Sequence, residues 1–308
     1  MAVRPFTVKI DRVLVATDFS AAGYRAVQSA ADLARREKAA LRILHVVPSG
    51  RQLAGFWGSS NPAMHHVHGQ AAVALSRLAE AIDPARQLEL STGVVTGPAA
   101  RKIAGAASEY RADMLVIGAH GEHETTTGQP GLGGTATKLV GTAPCALRLV
   151  RLPPQAGPAS VLAAVDLSEL SVPILRWAAG QAAGGHLHVL HAYEVPFASR
   201  LEAYGFAAGT LDVYTEDEQG RLDRELASLV AEAGCDPDVH RIIERGDTAS
   251  RLFAQIRRLH PTLVVLGTHG ASKGRPASTK FGSVCRYTAA FSPTDVLIIP
   301  RSALPGPR

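Results

Sequence analysis

The sequence predicts an α/β protein made of two repeated, doubly wound parallel sheets of five strands each. Short runs rich in Val and Leu alternate with helical patterns along the whole chain, the mark of a parallel sheet with helices on both faces. Landmarks of the first half recur in the second. Gly97, Gly118, Gly121, Gly133 and Pro144 pair with Gly246, Gly267, Gly270, Gly282 and Pro293 at an offset of 149, and Asp18 pairs with Asp166 at 148. A period this long marks a duplicated domain rather than a solenoid unit. The length of 308 residues also suits two domains of about 150, each large enough for its own core.

In chain order, RVLVAT (12–17) is a short apolar strand, and Asp18 and Ser20 supply caps for the helix AAGYRAVQSAADLARREKA (21–39). LRILHVV (41–47) is the second strand. A loop with Pro48, Gly50, Gly55 and Gly58 then leads to an Ala-rich helix over 63–82. LELSTGVV (88–95) is the third strand, and GPAARKIAGAASEY opens with proline near a helix start, where a missing N–H does no harm. MLVIG and ALRLV complete the half as fourth and fifth strands. The second half repeats the series with SVLAAV, HLHVLHAY, DVHRIIE, TLVVLG and DVLIIP. The predicted boundaries are a first domain over 1–152, a proline-rich linker over 153–158, a second domain over 159–301 and a tail over 302–308.

Composition narrows the function class. A hydrophobic fraction of 46% and a charged fraction of 19% are those of a globular protein. The net charge of +5 comes without any Lys/Arg block of five or more, which argues against a nucleic-acid surface. Cys145, Cys235 and Cys285 are few, odd in number and far apart, so a disulfide framework is not expected and a reducing compartment is. The N-terminus lacks an apolar leader segment and no run is long enough to span a bilayer, so the expectation is a cytoplasmic protein without a membrane partner.

The candidate site follows from topology. In open sheets of this kind ligands bind beyond the carboxyl ends of the strands, where the winding reverses. Asp18 and Asp166 end the first strands, and the glycine loops follow the fourth strands. Glycine allows backbone amides to approach a phosphate closely, a helix start at Gly282-Ser283 presents unpaired N–H groups, and the acid can accept hydrogen bonds from a sugar or base. The plainer alternative is that the glycines only turn the chain and the aspartates only cap helices.

At these residues, in both halves and over nearly the whole chain, the sequence resembles the universal stress protein family in its tandem form. VLVATDFSAAGYRAV is similar to the family's opening strand and acid, and LHVV to its second strand. The resemblance implies a Rossmann-like fold of the adenine nucleotide alpha hydrolase type. It also implies an adenosine pocket lined by Ala16, Thr17, Asp18 and Val46 in one half and by Ala164, Val165, Asp166 and Ala192 in the other. Nucleotide-binding members carry Gly-x2-Gly-x9-Gly-(Ser/Thr) after strand four. Gly118, Gly121, Gly133 and Gly134 take that place in the first half, and Gly267, Gly270, Gly282 and Ser283 in the second.

Two departures bear on the phosphates. Eleven residues separate the second and third glycines in both halves, 122–132 and 271–281, and Gly134 replaces the hydroxyl residue in the first, with Thr135 following. Glu122 and Glu124 oppose phosphate, whereas Lys273, Arg275 and Lys280 attract it, so ATP with Mg2+ is expected in the second domain more than in the first. The family likeness further implies a stress-response sensor or switch without efficient catalysis. The apolar fifth strands would otherwise be unpaired edges, so the halves are expected to form an internal pseudo-dimer, with homodimerisation as a further form of association.

Other patterns carry less. MHHVHG places His65, His66 and His68 together without a second cluster at metal-ligand spacing, and HLHVLH puts His186 and His188 on one strand face and His191 on the other. GLGGTA (131–136) imitates a dinucleotide fingerprint but lies far beyond the first strand, where that motif belongs. Neither a Gly-x4-Gly-Lys-(Ser/Thr) loop nor a Gly-x-Ser-x-Gly elbow occurs. The alternative function is a tandem scaffold, or a binder of an apolar small molecule, favoured by the long segment PFASRLEAYGFAAGTLDVYTED after the strand HLHVLHAY.

Overall fold

Arg12–Thr17 (β1) is apolar on both faces because it lies inside a parallel sheet: after Arg12 every residue is buried. A computed structural model describes residues 8–49, 62–121, 131–155, 157–182, 184–194, 208–236, 239–269 and 281–303, with the side chains of 62–65, 208–216 and 303 outside that description. From β1 the chain enters Ala21–Glu37 (α1), capped by Ser20, whose Oγ accepts from the Gly23 N–H at 3.0 Å. Ala22, Ala26, Ala30 and Ala34 recur every fourth residue on its buried face. The sequence predicts this helix to 39. It stops at Glu37 because Lys38 turns left-handed, with φ 55°, and its N–H closes on the last turn.

The first repeat continues through Ala40–Val47 (β2), Pro62–Ile82 (α2), Leu90–Thr96 (β3), Ala99–Tyr110 (α3), Met114–Gly118 (β4), Gly134–Val140 (α4) and Ala146–Val150 (β5). Its strands lie in the order β3-β2-β1-β4-β5, all parallel. The third strand begins two residues later than predicted, since pairing with β2 starts at Leu41↔Leu90. The second repeat comprises Ser160–Ala164 (β6), Ser171–Gln181 (α5), His186–Tyr193 (β7), Ala208–Glu232 (α6), His240–Arg245 (β8), Thr248–Leu259 (α7), Leu263–Gly267 (β9), Ser283–Phe291 (α8) and Asp295–Ile299 (β10). The order β9-β6-β7-β8 repeats β4-β1-β2-β3, again in parallel. The α/β class with a duplicated parallel sheet is therefore as the sequence indicates. No helix among the described residues is long and apolar enough to cross a membrane.

Contacts divide the chain into two units, and the division does not follow the repeat at its end. Gly157–Pro276 and Gly282–Thr288 belong to one unit, whereas Ala289–Arg308, including β10, belongs with Lys9–Ala156. β10 runs antiparallel to β5, with Val296↔Leu149, Leu297↔Arg148 and Ile298↔Leu147 opposed. The first residue of β10 anchors this pairing. Asp295 is 5% exposed in its side chain; its Oδ2 accepts from Arg148 at 2.9 Å, and its Oδ1 accepts the N–H groups of Arg151 and Leu152 at 2.8 and 3.0 Å. Both carboxylate oxygens are thus engaged, by one cation and two amides, which offsets the desolvation of the carboxylate.

Removing this carboxylate leaves Arg148 largely buried without its counter-charge. Asp295→Ala is expected to cost about 3 kcal/mol or more of unfolding free energy in a urea titration. Arg221→Ala, which breaks two exposed ion pairs on α6, with Glu218 and Glu225, should leave the unfolding midpoint almost unchanged. Equal effects would show that the Asp295 cluster does not hold the β5–β10 pair.

Candidate functional site

Each first strand ends in the same unusual turn. Asp18 is followed by Phe19 at φ 65°, and Asp166 by Leu167 at φ 60°. A non-glycine residue in the left-handed region is held there by its surroundings. The aspartates provide the hold: Asp18 Oδ1 accepts from the Ser20 N–H and Oγ at 3.0 and 2.5 Å, and Asp166 Oδ1 from the Ser168 N–H at 3.1 Å. In the first repeat Thr17 Oγ1 accepts from the Phe19 N–H as well. The turn points both carboxylates toward a cavity at the carboxyl ends of the strands.

The first cavity, of about 570 Å³, brings together all eight residues predicted for it: Ala16, Thr17, Asp18, Val46, Gly118, Gly121, Gly133 and Gly134. The second, of about 320 Å³, brings together Ala164, Val165, Asp166, Ala192, Gly267, Gly282 and Ser283. Gly270 lies outside the described residues, as do the charged loop positions Glu122, Glu124, Lys273, Arg275 and Lys280.

The glycines divide by role. At Gly118 a Cβ would come within 3.0 Å of the Ala22 carbonyl carbon, so this glycine lets β4 pass close to the start of α1. A Cβ at Gly121 would lie 3.1 Å from Asp18 Oδ2, so it leaves room for the carboxylate. The N–H groups of Gly133 and Gly282 are already donated, to Ala119 O at 2.9 Å and Thr268 O at 2.7 Å. The amides able to meet an anion are therefore those of the next residues. In the second cavity these are Ser283, Val284 and Cys285, in the first turn of the nine-residue α8. At Gly134 a Cβ would meet nothing within 4 Å, which leaves the cradle open where the first repeat lacks a hydroxyl.

Several lining residues escape a reading of the sequence. His45 and His120 reach the first cavity, and His191 and His269 the second. These pair at offsets of 146 and 149, so a comparison of the halves contains the signal for them. Lys138 on α4 also lines the first cavity. Gly23 looks like an ordinary helix position, yet a Cβ there would lie 2.7 Å from both Asp18 Oδ1 and Thr17 Oγ1.

Cysteine chemistry is suppressed. Burial pushes the thiols of Cys145 and Cys285 up to about 12 and that of Cys235 to about 11, so all three remain protonated at neutral pH. His66 and His68 lie on α2, exposed, and two residues apart on a helix they face different ways; the His65 side chain lies outside the described residues. His188 meets His240 across the β7–β8 pair, with Nδ1 atoms 3.3 Å apart. Among the described residues no group of three or more His, Cys, Asp or Glu side chains is placed to hold a metal ion. Of the long segment after β7, residues 195–207 lie outside the description and the remainder enters α6.

The model of the Universal stress protein family matches residues 9–151 and 159–300. Among solved structures, a universal stress protein from Archaeoglobus fulgidus is 17% identical with a TM-score of 0.66, over 96% of this chain and 100% of that one. A functionally unknown protein from Pseudomonas aeruginosa is 17% identical with a TM-score of 0.65, over 94% of this chain and 92% of that one. A putative universal stress protein from the same species is 18% identical with a TM-score of 0.63, over 94% and 93%. At these identities the likeness is one of fold. No curated protein matches the chain.

The space around Asp18 yields a test whose sign opposes helix propensity. Gly→Ala in a helix ordinarily stabilises by up to about 1 kcal/mol. Gly105→Ala in α3, where a Cβ meets nothing within 4 Å, should show that gain on chemical denaturation. Gly23→Ala should instead destabilise by about 1–3 kcal/mol, because two bonded oxygens must move. A stabilised Gly23→Ala protein would show that the Asp18 turn is not held as described.

Proposed function

The chain belongs to the universal stress protein family, and on that premise we propose that each repeat binds an ATP-type adenine nucleotide, as a stress-response sensor or switch without efficient catalysis. The observation that carries the reading is the convergence, in each repeat, of the strand-end aspartate and the helix-opening glycine on one cavity. Ala16, Thr17 and Val46, with Ala164, Val165 and Ala192, supply strand-end main chain and small side chains against a flat base. Asp18 and Asp166 offer carboxylate oxygens to ribose hydroxyls. The phosphates, with Mg2+ as their counter-ion, meet the first turn of α8 in the second repeat.

Charge favours the second cavity. Residues 122–132 carry two acids and no Lys or Arg, whereas 271–281 carry three bases and no acid. Lys138 in the first cavity offsets only one of the two acids. Ser283 adds a hydroxyl where the first repeat has Gly134. These differences support tighter nucleotide binding in the second repeat.

The same geometry favours binding over turnover. Asp18 and Asp166 already hold their own turns through Oδ1, a role that fixes a ligand but does not align an attacking water. Phosphoryl transfer needs a positioned nucleophile and neutralised charge. Nucleotide therefore acts by ordering the site and shifting a conformational population. We place the repeat boundary at the linker 153–158, regard the duplication as an internal counterpart of a dimer, a reading supported by the β5–β10 pair, and take homodimerisation as its extension. Three cysteines that form no disulfide suit a cytoplasmic setting. A second reading, capture of an apolar small molecule, is favoured by Val165, Ile174, Leu190 and Leu266 around the second cavity.

Isothermal titration of the full chain with a non-hydrolysable ATP analogue tests the assignment. Gly282→Trp should lower affinity at least tenfold while Gly133→Trp affects only the weaker site, with both variants checked for an unchanged melting temperature. Equal losses, or heat only from the first repeat's site, would overturn the ranking of the cavities. Binding of an apolar probe in place of the analogue would support the second reading.

A further inference from the structure

Both cavities contain a histidine that recurs at the same place in the repeat although the residues after it differ. His45 is followed by Val46-Val47 and His191 by Ala192-Tyr193. His45 lies opposite Thr17 in the β1–β2 register, and its Nδ1 is 2.8 Å from Thr17 O. His191 Nδ1 is 3.0 Å from Val165 O. In each case the carbonyl belongs to the residue immediately before the site aspartate. A carbonyl oxygen only accepts, so Nδ1 carries the proton and donates. In the neutral ring the lone pair then falls on Nε2. One ring edge is committed to the strand end, and the same ring lines the cavity. In the first repeat Phe19 also packs on the imidazole, with centroids 4.5 Å apart and planes inclined by 34°. His191 is 7% exposed, so its ring cannot turn freely to exchange the two nitrogens.

We propose that His45 and His191 are positioning residues of the two cavities. Through Nδ1–H each fixes the carbonyl from which the aspartate turn departs, and this bond sets Nε2 as an acceptor for a hydrogen-bond-donating group of the bound molecule, an amino or hydroxyl group rather than a phosphate oxygen. The carbonyl clamp stands on the ligand-free geometry alone; the acceptor role rests on the nucleotide reading above. Each histidine lines its cavity together with the site carboxylate. Both groups then select for a ligand edge rich in donors, as a ribose or an amino-substituted base provides, while the helix start selects for the anion at the other end.

The two parts are separable by experiment. Long-range 1H–15N spectra of the full chain without ligand should show His45 and His191 as the neutral Nδ1–H tautomer, assigned by loss of each signal in His45→Asn and His191→Asn. The Nε2–H tautomer at both positions would overturn the clamp. ATP titration should then move the Nε2 resonances of the wild type. The Asn variants, whose side-chain amide replaces Nδ1–H but not Nε2, should keep the wild-type melting temperature yet bind ATP about five- to tenfold more weakly at the altered site, the range expected for one hydrogen bond. His45→Leu and His191→Leu, which lose both functions, should fall in stability as well. Asn variants that bind ATP like the wild type, or Nε2 resonances unmoved at saturation, would overturn the acceptor role. A wild type that does not bind ATP would overturn the nucleotide reading and the acceptor role with it, leaving the tautomer result to decide the clamp.

Discussion

The rest of the site depends on a backbone turn that costs free energy: a left-handed residue, Phe19 or Leu167, at the carboxyl end of each first strand. A non-glycine residue in that region is unfavourable by about 1 kcal/mol or more, so the surroundings must over-determine it. They do so from several directions. The aspartate accepts from the amide two residues on, a histidine of the neighbouring strand holds the preceding carbonyl, and in the first repeat Gly23 leaves the space that two oxygens fill. The outcome is a carboxylate projected at the mouth of the sheet with little freedom to reorient. A ligand that uses it then loses less entropy on binding.

A second constraint acts on the far side of the fourth strand. The fifth strands are short and apolar, and each would expose a row of unpaired amides if left as an edge. β10 meets β5 in antiparallel register, and Asp295 ties Arg148 and two main-chain amides at the end of that pair. β10 thus covers the outer side of the fifth strand, and β4, at whose end the first cavity opens, lies inside the sheet. The sequences that follow the fourth strands differ in charge: 122–132 carries two acids and 271–281 three bases.

Much of this is legible in the sequence because duplication supplies an internal control. Glycines, prolines and aspartates at a nearly constant offset mark the repeat, and the fold gathers Asp18, Gly118, Gly121 and Gly133 into one cavity and Asp166, Gly267 and Gly282 into the other. What escapes depends on partners far away in the chain. Asp295 reads as an ordinary polar residue ahead of an apolar strand, since its role needs Arg148, 147 positions earlier. Gly23 reads as a mild helix defect because nothing local reveals that Asp18 folds back over it. Alternation separates His191 from His186 and His188, but it does not tell which face turns toward a cavity. Helix α1 stops two residues before its sequence pattern does because Lys38 turns left-handed, and nothing in a lysine side chain marks such a cap.

The central claim is that two cavities of one duplicated chain take up nucleotide with unequal strength. Native mass spectrometry of the intact protein over a series of ATP concentrations reads the stoichiometry directly. The account predicts a singly bound species that appears first and is lost in Asp166→Ala, followed at higher concentration by a doubly bound species that is lost in Asp18→Ala. A protein that remains free of bound nucleotide across the millimolar range, or whose first bound nucleotide survives Asp166→Ala unchanged, would contradict it.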